Sequence, residues 1–142
     1  MREMLTRPRP VETPDDTTFW AHVAEGELRL QRCDSCGRLR YPPAPCCPAC
    51  LCEDAEWAQV AGLGTLLSWV TMRRQYFPTL PTPYVVGAVQ LDEGPIMYGN
   101  LDMRYASRLR AGLQVEAVLE NCRLEDGTPF VVPQWRPREV AA

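Results

Sequence analysis

The sequence predicts a mainly β fold in which one short helix and a small clipped hairpin precede a five-stranded barrel. Three observations predict it. Two Cys-x-x-Cys pairs, Cys33-Asp-Ser-Cys36 and Cys47-Pro-Ala-Cys50, are separated by a short Pro-rich segment. From Trp57 onward come five stretches of alternating or continuous apolar residues, divided by Gly, Pro and Asp-Gly punctuation. A short helical signal, Arg104 to Arg110, lies between the third and the fourth of these stretches. Paired Cys-x-x-Cys turns have the ligand spacing of a rubredoxin-like zinc ribbon, and five strands with a helical turn after the third have the order of an OB-fold. A β-sandwich is the alternative architecture.

Residues 1–14 carry three prolines and no apolar periodicity, which predicts an extended arm rather than a helix. Asp15-Asp16-Thr17-Thr18 then offers an acidic N-cap, after which Phe19, Trp20 and Val23 fall on one side of a short helix that Gly26 can close. A helix of two turns is not stable alone, so Phe19 and Trp20 must be buried, either in the chain's own core or at a partner surface. His22, the one histidine, reads as a polar-face residue rather than a catalyst.

Glu27 to Arg32 alternates with period two and leads into the first Cys pair, with Arg38 to Tyr41 as the return strand. Four thiolates at Cys33, Cys36, Cys47 and Cys50 converge on one ion at about 2.3 Å in such a ribbon. Gly37 follows the second ligand, where a positive φ is needed, and Pro48 stiffens the other turn. Cys46 and Cys52 flank the second pair, but only Cys47 and Cys50 reproduce the two-residue gap. The same thiolates also suit iron, and seven cysteines also suit a disulfide framework. Zinc is preferred because nothing else in the sequence points to electron transfer or to an oxidising compartment.

The acidic run Glu53-Asp54-Ala55-Glu56 marks a boundary. Trp57 to Met72 then reads as one long strand broken by Gly62 and Gly64, as at a barrel corner. Arg73 to Pro83 is a Pro-rich loop, Tyr84–Leu91 and Ile96–Leu101 are the next strands, and Leu113 to Glu120 is the fourth. Glu125-Asp126-Gly127-Thr128 is a hairpin signal before a fifth strand that begins at Phe130. The expected organisation is an arm (1–14), a helix with the ribbon (15–56), the barrel (57–138) and a tail (139–142).

Composition narrows the function. The net charge of -3 and pI near 5.2 oppose a nucleic-acid-binding barrel, although Tyr76, Phe77 and Tyr84 would suit base stacking. All fifteen basic residues are arginine, which removes lysine chemistry. Cys122 sits in a strand pattern, as a buried inert thiol would. A fourfold thiolate site leaves no open position for zinc catalysis. No apolar run reaches the roughly 20 residues of a membrane span, and the N-terminal residues lack a signal-peptide core, so the expectation is a cytoplasmic chain with no membrane and no nucleic-acid partner.

Phe19-Trp20, Gly26-Glu27-Leu28, Cys33-x-x-Cys36-Gly37, Tyr41-Pro42-Pro43, Cys47-Pro48-x-Cys50, Gly62-x-Gly64-Thr65-Leu66, Pro83-Tyr84-Val85-Val86, Leu91-Asp92-Glu93-Gly94 and Arg136-Pro137 occur in this order. Together they resemble the zinc-ribbon and OB-fold accessory proteins that partner thiolase-superfamily acyl-CoA enzymes, over residues 17–138. One departure is Pro43-Ala44-Pro45 in place of the family's Pro-Pro-Arg, so no role for that arginine is carried over.

The resemblance implies a noncatalytic subunit of a thiolase or acyltransferase, inactive alone and assembled as two copies of each chain. Members are similar to partners of archaeal acetoacetyl-CoA thiolase, of acetylphloroglucinol-forming acyltransferases and of thiolases in anaerobic aromatic degradation. The alternatives it implies are a steroid side-chain aldolase or a MaoC-like enoyl-CoA hydratase complex. OB-folds bind ligands at the first interstrand loop. Arg73 and Arg74, beside Tyr76 and Phe77, are therefore the residues expected to meet coenzyme A phosphates, and Phe19 and Trp20 those expected at the partner surface.

Overall fold

Glycines and prolines divide the chain into nine strands, one α-helix and one 3-10 helix in the computed structural model, which describes residues 4–139. Residues 1–3 of the expected arm and 140–142 of the expected tail lie outside the described residues.

The arm is extended and includes a two-residue strand, β1 (Thr6–Arg7), which runs parallel to β8 (Gln114–Leu124) with Thr6 opposite Arg123. Helix α1 (Asp16–Ala24) follows. Its expected acidic cap takes another form: Asp15 holds the cap position without a side-chain bond, while the Asp16 carboxylate accepts from Thr13 Oγ1 at 2.8 Å and Thr13 N–H at 3.0 Å. The helix stops at Gly26, whose φ of 87° turns the chain and whose N–H donates to Val23 O.

Strands β2 (Arg29–Cys33), β3 (Leu39–Arg40) and β4 (Ala55–Gln59) make an antiparallel sheet with β2 in the centre. Here the structure differs from the expected single long strand. The first half of that stretch pairs with β2, Trp57 opposite Gln31, and so completes the ribbon. Gly62, at φ 73°, then redirects the chain into β5 (Leu63–Met72). The corner expected at these glycines is thus present at Gly62, and a separate bulge falls at Leu67, where the register of β5 against Tyr84–Leu91 slips between Leu66 and Ser68. Period two also breaks in β2: both Leu30 and Gln31 are buried, and Gln31 Oε1 accepts from Arg40 Nε at 3.0 Å and Ala44 N–H at 2.9 Å.

The barrel runs β8-β5-β6-β7-β9 and closes on itself through the β8–β9 hairpin, with β6 Tyr84–Leu91, β7 Ile96–Leu101 and β9 Pro129–Pro137. The helical turn between the third and fourth strands is present, as a 3-10 helix at Met103–Arg108. Five barrel strands beside a cysteine-clipped ribbon are the fold class that the sequence predicts. Strand β9 meets β7 only at Leu101 and Trp135, so Pro133 faces a side where no ladder bond is required of it.

One apolar core spans both parts. Phe19, Val23, Leu28 and Leu30 of the helix and ribbon join Leu66, Val85, Val89, Met97, Val115 and Trp135 of the barrel. At 3% exposure Phe19 belongs to this chain's own core, which corrects its expected place at a partner surface. Trp20 is half-buried, tilted against Phe130 at 5.0 Å between ring centroids, and keeps part of its surface. Among the described residues no helix is long and apolar enough to cross a membrane.

Candidate metal centre

Both Cys-x-x-Cys turns close by the same backbone device. In the first, Gly37 N–H donates to Cys33 O at 2.9 Å; in the second, Leu51 N–H donates to Cys47 O at 2.8 Å. The residue after each second cysteine is left-handed, Gly37 at φ 74° and Leu51 at φ 66°. Glycine takes that conformation freely, whereas leucine takes it at a cost of roughly 1–2 kcal/mol. The second turn is braced further by Cys47 N–H donating to Cys52 O at 2.9 Å.

These turns bring the sulfurs of Cys33, Cys36, Cys47 and Cys50 within 4.8 Å of one another. Cys33 and Cys50 are 3.5 Å apart, and Cys36 and Cys47 3.6 Å. A tetrahedral site with metal–sulfur bonds near 2.3 Å has sulfurs about 3.8 Å apart, so the tetrad fits a zinc ion with small adjustment. Cys46 and Cys52 stand outside it, and the Cys52 sulfur donates to Asp54 O at 3.7 Å.

Three of these thiols are shifted by their surroundings. Backbone N–H groups of Cys36 and Ser35 draw the Cys33 thiol down to about 6, and those of Ala49 and Cys50 lower Cys47. At Cys36 the Arg38 N–H also favours the thiolate, but the Cys47 sulfur and burial oppose it and carry the thiol up to about 11. Thiolates packed this closely ionise together only when a positive ion lies between them. His22, Glu25 and Glu27 also cluster within 4.8 Å, but Glu27 is engaged by Arg29 at 2.6 Å.

The other residues singled out in the sequence lie apart from this centre. Arg73 and Arg74 are exposed on the Pro-rich loop between β5 and β6, and the Arg74 guanidinium lies 5.4 Å from the Tyr76 ring centre. Tyr76 and Phe77 are both exposed. Farther along the loop, Thr79 Oγ1 donates to Glu125 of the β8–β9 turn at 3.2 Å, and the neighbouring Asp126 holds Arg9 of the arm at 2.7 Å. Nothing in the sequence signalled that one acidic turn fastens two distant segments. Cys122 is buried in β8, and burial pushes its thiol up, as an inert cysteine requires.

Two family models match the chain: the rubredoxin-like zinc ribbon domain of ChsH2 over residues 20–53 and the C-terminal OB-fold domain of ChsH2 over residues 57–120. A DUF35 domain-containing scaffold protein of Pyrococcus furiosus is 30% identical over 84% of this chain and 90% of its own length. The chain belongs to the DUF35 family. A solved chain described as an Ltp2-ChsH2(DUF35) aldolase superposes on this DUF35 chain with a TM-score of 0.77 at 30% identity, covering 91% of this chain and 98% of that one. A probable enoyl-CoA hydratase alpha subunit of Thermomonospora curvata is 34% identical over 92% of this chain, which spans only 40% of that relative. The benzoylsuccinyl-CoA thiolase subunit BbsA of Thauera aromatica is 27% identical over 96% of this DUF35 chain and 99% of its own length.

Proposed function

We propose that this DUF35 chain is the noncatalytic, zinc-bearing subunit of a thiolase-like acyl-CoA enzyme. The observation that carries the reading is end-to-end similarity to a chain named as a thiolase subunit, BbsA, of which 99% is covered, and to the solved aldolase chain, of which 98% is covered. The chain's own chemistry supports it. Four of its seven thiols form a closed tetrad, Cys122 is buried, Cys46 and Cys52 flank the tetrad, and its one histidine lies 3.9 Å from Glu27.

Cys33, Cys36, Cys47 and Cys50 would hold the zinc, which supplies four coordinate bonds between the turns and no position for substrate. The ribbon then presents a fixed surface beside the barrel, because its helix and β2 share the barrel's core. We place Trp20 at the partner contact and Arg73, Arg74, Tyr76 and Phe77 at the mouth of the partner's coenzyme A site. The assembly is two copies of each chain, as symmetric dimers of the enzyme would dictate. The second reading is a hydratase complex, favoured by the Thermomonospora curvata relative.

Coexpression with a thiolase-like protein encoded beside it tests the assignment. The two chains are expected to copurify and to turn over acyl-CoA only together. Robust thiolysis, aldol cleavage or hydration by this chain purified alone would sink the accessory role.

A further inference from the structure

We infer that a cavity beneath the arm binds a small carboxylate with an apolar body, a site distinct from the metal centre and from the Pro-rich loop's arginines. The cavity, about 240 Å³, lies between the arm, α1, β7 and β9. Arg7 is the charged residue that lines it, and no acidic residue does. The Arg7 guanidinium makes no hydrogen bond or ion pair with a described residue, and its Nε is buried without an acceptor. Gln134 also lines the cavity, is 8% exposed, and has a side-chain amide without a partner among the described residues. The contrast is Asn100, whose amide is committed to Val85 O at 2.9 Å.

Buried donors are normally paired, so the Arg7 guanidinium, its Nε sealed without an acceptor, points to an acceptor that the chain does not itself supply, while the Gln134 amide beside it is not sealed from solvent. A carboxylate matches a guanidinium fork, and the amide N–H adds a further donor. Phe19, Trp20, Tyr41 and Tyr98 form the remaining walls, which suit a ring or a short branched chain. The cavity, about 240 Å³ and open on one side, suits an acid of benzoate size.

Benzoate is the probe, with benzamide as its neutral counterpart, titrated into the full-length zinc-loaded chain by calorimetry and by tryptophan fluorescence. Saturable benzoate binding is expected, with benzamide on the order of tenfold weaker, the loss of one charge-assisted hydrogen bond. Arg7→Met should weaken benzoate by a similar factor while leaving benzamide unchanged, and Gln134→Leu should weaken both by less. Unchanged zinc content and circular dichroism establish that each variant is folded. Should Arg7→Met fail to fold, the wild-type preference for benzoate over benzamide decides. No saturable benzoate response, equal affinity for benzamide, or full affinity in folded Arg7→Met would each overturn the inference.

Discussion

Leu51 does for the second turn what Gly37 does for the first, and the comparison shows how single residues set the metal centre. Left-handed backbone after each second cysteine turns the chain so that both sulfurs of a pair face the other pair. Alanine at any of Cys33, Cys36, Cys47 or Cys50 is therefore expected to reduce zinc from one per chain to none and to unfold the ribbon, as read by metal analysis and circular dichroism. Alanine at Cys46, Cys52 or Cys122 should leave zinc in place. Full occupancy in Cys47→Ala would show that the wrong cysteines had been chosen. The pH dependence follows from Cys33, whose thiol is lowered from 9.0 to about 6, chiefly by the Cys36 N–H. A lowered value means that the thiolate's contribution is complete above about 9, declines as pH falls, and is gone below about 6. Protons compete with zinc for all four sulfurs, so zinc retention against a fixed chelator should also fall as pH falls. Retention independent of pH from about 9 to 5 would contradict it.

The Pro-rich loop between β5 and β6 is an element whose position depends on others. Gln75 Nε2 donates to Phe77 O and Pro78 O within it, and Thr79 ties it to Glu125. With Arg74 resting over Tyr76, two guanidinia and two aromatic rings stand at an exposed tip that is held at its base. If that tip meets coenzyme A in the complex, the Arg73→Ala, Arg74→Ala double variant should still assemble but raise KM for the CoA substrate, by about 1.5–3 kcal/mol of binding for one lost charged contact. An unchanged KM in the assembled complex would remove the loop from CoA recognition.

At the scale of the whole molecule, barrel closure rests on Trp135 packing where β7 and β9 meet. Trp135 is 2% exposed and lies against Gly99: a Cβ at that glycine would sit 2.7 Å from the indole Cδ1 and 2.8 Å from Nε1. A methyl at that position forces the indole or the strand to shift, so Gly99→Ala should cost about 1–3 kcal/mol, read as a lower urea midpoint. An unchanged midpoint would mean that the β7–β9 seam is looser than this packing implies. The same seam carries the shared core from barrel to ribbon, so the loss should appear as one cooperative transition.

Local signals alone determined the four clustered cysteines, the five barrel strands, the 3-10 turn and the closing Gly26, because spacing, period and turn chemistry act within a few residues. The assignments that needed the tertiary structure all depend on which strand lies beside which. Residues 57–59 read like the start of β5 and residues 55–56 like a boundary, and only their pairing with β2 assigns them to the ribbon. Phe19 and Trp20 look equivalent on one helical face, yet the core takes the first and leaves part of the second outside. Arg7 in a proline-rich arm carries no signal that it shares a cavity with Gln134, far along the chain, since no local pattern records a contact closed by the folding of the barrel.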